Sequence, residues 1–304
     1  MRTLRMGDTG PDVVVLQQEL NKEGNNLTTD GIFGQGTDTA VRNFQRANGL
    51  VADGIVGPAT WDKLLDDTAS PDKLPFADVY YPLNVGEYIS EVVKKYGITL
   101  HHTVSAGSPY KVVDGWNKDN RRGVGTHFVV GGIDINGDTT HDGTILQAIN
   151  IDDWAHHILT TRMGKSDSHN VTTNKRYVGI EICSFGCLQK KGDKFYTMDG
   201  TNREVPAEMV EVVTPDWRTY SYWHKYSDKQ VDAVMRIITE LDKLLSLGLA
   251  NSKYDKIDTL FELSWDALNF RRVLTSHGSF EDGKFDAYPC DRLIKKLKAE
   301  YPKL

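Results

Sequence analysis

The 304-residue chain, 26% of it charged, has room for about two domains of roughly 100–200 residues each. Its net charge of −6, from 42 acidic and 36 basic residues, argues against nucleic acid as the main partner, since phosphate binding needs a dense basic footprint. No window approaches the roughly 18 unbroken apolar residues of a membrane span, and the opening MRTLRMGDTG lacks the apolar run of a secretory signal, so neither membrane insertion nor an export route within the chain is expected.

The first segment holds an internal repeat. Asp30-Gly31-Ile32-Phe33-Gly34 is followed by Thr37, and Asp53-Gly54-Ile55-Val56-Gly57-Pro58 by Thr60 and Trp61. Asp-Gly predicts a tight turn in each copy, and the threonine is expected to cap or open a helix. Three helical stretches surround these turns. Pro11 to Leu20 aligns Val13, Leu16, Gln17 and Leu20 on one face. Thr37 to Asn48 aligns Ala40, Val41, Phe44 and Ala47, and Thr60 to Leu65 offers Trp61, Leu64 and Leu65. The expected product is a small all-α domain of three helices over residues 1–66, near the lower size limit for independent folding.

On these residues the segment resembles the peptidoglycan-binding domain found at the ends of many wall hydrolases. Gly7-Asp8-Thr9-Gly10-Pro11-Asp12-Val13 with Leu16-Gln17 and Leu20 looks like its opening, and Val41-Arg42-Asn43-Phe44-Gln45 like its centre. The second Asp-Gly turn through Trp61 looks like its close. The resemblance implies bacterial peptidoglycan as the partner.

Residues 67–77, with two prolines and small polar residues, read as a linker. Val85 to Tyr96 is expected to form a helix leading into a second domain, residues 78–304. There, Gly97 to Val104, Gly125 to Gly131, Thr144 to Ile149 and Tyr177 to Phe185 read as strands, short and rich in β-branched residues. Residues 187–226 read as a long surface excursion, with a hairpin over the site as one form it could take. Ser227 to Leu247 reads as an amphipathic helix with a Ser227/Gln230 capping box. The fold class expected is an α/β mixed-sheet domain flanked by helices.

Chemistry-bearing residues gather in this second part. On a strand, neighbouring side chains point to opposite faces, so Ile98, Leu100 and His102 share one face and Thr99, His101 and Thr103 the other. His101 is therefore the better ligand candidate and His102 a packed neighbour. Near the end, His277 is followed by Lys284 and Asp286 in an exposed-looking loop. Two imidazoles and a carboxylate suit a catalytic zinc that keeps a fourth position open. In Val178-Gly179-Ile180-Glu181-Ile182 the branched residues share one face, which leaves Glu181 on the other beside a glycine. Of the three cysteines, Cys183 and Cys187 lack zinc-knuckle spacing, and the odd count does not form a disulfide scaffold.

Together these residues resemble the zinc-dependent N-acetylmuramoyl-L-alanine amidases, the family that includes phage lysozyme-type amidases and peptidoglycan recognition proteins. The match runs over roughly residues 96 to 304. The resemblance implies a Zn²⁺ site of His101, His277 and Asp286, with Lys284 two residues before the last ligand. It implies Glu181 as the group that activates water and Lys284 as a stabiliser of the oxyanion. Trp154-Ala155-His156-His157-Ile158 resembles the segment lining the substrate cleft, with His157 the closer match, and Thr126-His127-Phe128-Val129-Val130 the second core strand. Some relatives carry a catalytic tyrosine where this chain has Thr126, a position expected to touch substrate. After Asp286 the chain reads Ala-Tyr-Pro-Cys rather than Pro-Gly-Pro, which makes Cys290 a rival third ligand. The reading is a monomeric, phage endolysin-like hydrolase that accumulates in the host cytoplasm and acts on the wall after release. A non-catalytic recognition protein, and a lysozyme-type glycan hydrolase with two cleft carboxylates, are the alternatives.

Overall fold

The computed structural model describes residues 3–64, 73–105, 107–119, 123–217 and 219–304. They belong to two units, Met1–Lys73 and Leu74–Leu304. In the first, helices α1 (Pro11–Lys22), α2 (Gln35–Ala47) and α3 (Pro58–Leu64) follow the apolar periodicity. Leu4, Val13, Leu16, Leu20, Phe33, Val41, Phe44, Val56 and Trp61 are buried. Ala47, expected on the inner stripe, is exposed at the end of α2, and Leu65 lies outside the described residues.

The repeat folds into two copies of one clasp. Gln17 Nε2 donates to Asp30 Oδ1, the Ile32 carbonyl and Thr37 Oγ1, while its Oε1 accepts from Gly31 N. Gln45 does the same with Asp53, Ile55, Thr60 and Gly54. Gly31 and Gly54 sit at φ 72° and 74°, where a side chain would be strained. Thr37 and Thr60 each open a helix, in the first turn of α2 and α3, and their hydroxyls join the clasps. The N-cap of α2 is Gly34, which has no side chain to cap with.

The second unit begins at Leu74, so the end of the expected linker is part of its core. Leu74 N donates to Gln147 Oε1 at 2.8 Å, and Leu74, Phe76 and Ala77 pack against the apolar cluster. The remainder of that linker, residues 67–72, lies outside the described residues. A six-stranded mixed sheet organises the unit. Its strands are β1 (Val79–Tyr80), β2 (Gly97–His102), β3 (Phe128–Val130), β4 (Ile145–Gln147), β5 (Tyr177–Ile182) and, near the end of the chain, Leu274–Ser276. The order is β1-β4-β3-β5-β2 followed by the Leu274–Ser276 strand. Only β3 and β4 pair antiparallel; the other neighbours are parallel.

Register sorts the two faces. Ile98 pairs Val178 and Leu274, and Leu100 pairs Ile180, which pairs Phe128. This apolar face packs against the long helix Asp228–Leu245 through Val234, Ile237, Ile238 and Leu241, and against Asp291–Glu300 through Leu293 and Leu297. Each such buried side chain contributes about 1.5–3 kcal/mol. Ser227 and Gln230 form the expected capping box. The opposite face carries Thr99, His101, Gly179, Glu181 and Thr275.

Two expectations fail in this unit. Residues 85–96 are not helical. Ile89 bridges Trp154, Val93 N donates to the Asp152 carbonyl and Tyr96 N to the Arg176 carbonyl. The extended segment satisfies its backbone on neighbouring chain, Val85 and Val92 face solvent, and the paired valines Val92-Val93 disfavour a helix. Residues 187–226 are more than a surface excursion. They form an antiparallel sheet of β6 (Leu188–Lys191), β7 (Lys194–Thr197) and β8 (Glu204–Val205), then a ribbon of β9 (Val210–Trp217) and β10 (Tyr220–His224). The ribbon buries Trp217 and Trp223. Trp223 stacks on Tyr288 at 5.1 Å, and Tyr220 and Trp223 pack on Phe285. The ribbon thereby fixes the loop that carries Asp286. The last sheet strand, β11, is Leu274–Ser276.

Candidate metal centre

His101 lies near the carboxyl end of β2, and Glu181 is its register partner on parallel β5, so both side chains leave the same face. β11 runs parallel beside β2 and delivers His277 immediately after its last residue. This is the end of a parallel sheet where α/β proteins commonly bind ligands.

His101, His277 and Asp286 each offer a donor atom, and these atoms lie within 4.8 Å of one another. Asp286 Oδ2 is 3.3 Å from His101 Nδ1 and 3.0 Å from His277 Nδ1. Donors around a tetrahedral zinc with bonds near 2.0–2.1 Å stand about 3.3 Å apart. Two nitrogens and one oxygen converging at that spacing fit the ion. Cys290 is not among these donors; its buried thiol lies 3.8 Å from Glu211 Oε2.

At His101 the electrostatics suit a neutral imidazole beside an anion, the protonation state that a metal ligand needs. Burial pushes the His101 pKa down to about 4, against the pull of Asp286. Burial also opposes charge on Asp286, but the His277 and His101 rings outweigh it and hold its carboxyl well below the usual range. Glu181 behaves in the opposite way. Burial, reinforced by Asp286, raises its pKa well above the ordinary value, and Lys284 only partly offsets this. A carboxyl whose pKa is raised in this way is a better proton acceptor than an ordinary glutamate.

The two residues expected to touch substrate each have partners within the protein. His157 Nδ1 lies 3.0 Å from His101 Nε2, and its Nε2 lies 3.2 Å from the Tyr177 carbonyl. Both ring nitrogens thus have partners within the protein. Gly179 makes room for this ring, since a Cβ there would stand 3.0 Å from His157 Nδ1. The buried Thr126 hydroxyl donates to the Phe128 carbonyl at 3.0 Å. His102 sits on the other face, as strand parity implies, with Nδ1 3.2 Å from the Tyr226 hydroxyl.

A cleft of about 410 Å³ opens beside Glu181, lined among others by Thr103, Ser105, Lys111 and Trp116. Lys111 and Trp116 belong to helix α4 (Pro109–Lys118), which the sequence reading passed over. The signal was Ser108-Pro109 ahead of apolar Val112, Val113 and Trp116.

Comparison with known proteins bears on the first unit. Residues 9–64 match the family model of the peptidoglycan binding domain. The zinc D-Ala-D-Ala carboxypeptidase of Streptomyces albus G is 42% identical over 83 residues, 25% of this chain and 32% of that protein. The spore cortex-lytic enzyme of Oceanobacillus iheyensis is 34% identical over 102 residues, 33% of this chain and 32% of its own. The chain thus spans about a third of the length of these curated relatives. The crystal structure of the SleB N-terminal domain is 40% identical, with 22% of this chain and 93% of that one covered and a TM-score of 0.22. Over residues 9–64, therefore, the chain carries a peptidoglycan-binding domain.

Proposed function

We propose that the chain is a peptidoglycan hydrolase that cleaves the amide between N-acetylmuramic acid and L-alanine. The observation that carries this reading is the convergence of His101, His277 and Asp286 within 4.8 Å, beside a half-buried Glu181 that lines the cleft, on a chain with a wall-binding domain. Zinc held by these three residues would supply Lewis acidity, polarising the scissile carbonyl and acidifying water. Glu181 accepts the proton of the attacking water and delivers it to the departing alanine nitrogen. The Lys284 ammonium, whose charge is felt at Glu181, opposes the negative charge that develops on the carbonyl oxygen. Asp286 supplies the anion of the ligand set, and His157 takes up the outer nitrogen of His101. The products are a glycan strand and a free stem peptide.

The setting proposed is that of a phage endolysin, which works from the host cytoplasm after release and is held on its polymer by the first unit. Mass spectrometry of digested peptidoglycan is the test. Free stem peptides with amino-terminal alanine, lost on chelation and restored by zinc, are expected. New reducing sugar ends would assign a glycan hydrolase instead, and an undigested wall would leave a recognition protein.

A further inference from the structure

The side of His277 that faces away from Asp286 has its own partner. With Nδ1 turned to Asp286 at 3.0 Å, Nε2 points at Glu281 Oε2, 3.7 Å away. Both atoms are buried, and neither has a hydrogen-bond partner among the described residues. Glu281 is 1% exposed, an unusual place for a carboxylate. Its other oxygen, Oε1, accepts from Arg162 Nη1 at 2.7 Å, and the Arg162 side chain is largely exposed. The one-turn helix His277–Ser279 fixes the spacing: Glu281 N donates to the His277 carbonyl, and Phe280 packs edge-on against Tyr177 at 5.1 Å. A buried carboxylate oxygen left open costs free energy. So does a buried ring nitrogen, and here the two deficits face each other.

We propose that Glu281, held from outside by Arg162, is the positioning residue for His277. The 3.7 Å gap is longer than a hydrogen bond, and a small rotation of the ring on metal binding would close it. Glu281 would then accept the Nε2 proton, fix the tautomer that leaves Nδ1 unprotonated and make the ring a stronger donor. Carboxylate partners of this kind orient metal-bound histidines and tune affinity. His101 is served differently, by His157 at 3.0 Å from its Nε2. The two imidazoles thus present the same atom to the site, one backed by an anion and the other by a neutral ring. This inference rests on the metal reading above.

The test measures zinc affinity of the full chain by chelator competition, alongside the melting temperature of the metal-free protein. Glu281→Ala should weaken zinc about 10–100-fold with little change in metal-free melting. Glu281→Gln keeps an acceptor but not the charge and should fall between, several-fold weaker than wild type. Arg162→Ala, at an exposed side chain, should weaken zinc a few-fold. Wild-type affinity in Glu281→Ala overturns the role. If Glu281→Ala fails to fold, wild-type affinity in both Glu281→Gln and Arg162→Ala overturns it. A wild-type chain that binds no zinc overturns the metal reading itself, and this inference with it.

Discussion

Each unit is organised around a buried polar cluster, and the two clusters are built on opposite plans. In the first unit a single glutamine spends its amide on one Asp-Gly turn, using residues only 13 to 20 positions away for Gln17 and 8 to 15 for Gln45. Both amide atoms of each glutamine have partners inside the clasp. In the second unit the cluster joins residues up to 185 positions apart. Its donors face one another across 3.0 to 3.3 Å around a shared oxygen, and at its rim two buried atoms remain open. A polar cluster that satisfies itself is a fastener. The second cluster shares one carboxylate oxygen between two imidazoles and leaves two atoms at its rim open.

That contrast can be broken most sharply at Glu181. Glu181→Ala should cost about 10²–10⁴-fold in turnover while metal content, read by atomic emission, stays at the wild-type level. Turnover at the wild-type rate would remove Glu181 from the chemistry. Next comes the division of labour between units. Removal of residues 1–73 should leave cleavage of soluble muropeptides intact and slow lysis of intact walls by on the order of 10²-fold, because tethering raises local concentration without altering chemistry. Equal rates on both substrates would argue against a tether.

The fasteners themselves give a smaller effect. Gln17→Ala and Gln45→Ala each leave a buried glycine N–H without its partner and should destabilise the first unit by about 1–3 kcal/mol. Hydrogen exchange should show faster opening in residues 9–64 and unchanged protection in the second unit. Similar losses in both units would mean that the clasps are not local devices.

The smallest effect concerns a buried histidine outside the metal set. Burial, with a contribution from His102, lowers the His224 pKa from 6.5 to about 4. Above pH 6.5 both folded and unfolded chains hold this ring neutral. Between 6.5 and 4 the unfolded chain takes up a proton that the folded one refuses, so stability falls as the pH falls. His224→Gln should flatten this acid limb by up to about 1.4 kcal/mol per pH unit, measured by urea unfolding of the second unit. An unchanged slope would mean that the ring is protonated in the fold.

The strands and the facing of their residues were legible because a strand repeats every two positions. Alternation in Gly97–His102 and Tyr177–Ile182 separates His101 and Glu181 from the apolar face without reference to any neighbour. The Asp-Gly turns and the helical stripes of the first unit were legible for the same reason. The extended path of residues 85–96 was not, because its hydrogen bonds go to residues 152–154 and 176.

Sequence by itself determined the local periods: which side of each strand is apolar and where the turns fall. Only the tertiary structure decided which polar atoms are still open once the chain has closed. His157 and Thr126 look available in one dimension and are engaged in three. Glu281 looks like one acid among many and stands buried behind His277. The physical reason is that a hydrogen bond depends on distance and direction between atoms brought together by packing, and no local period encodes those.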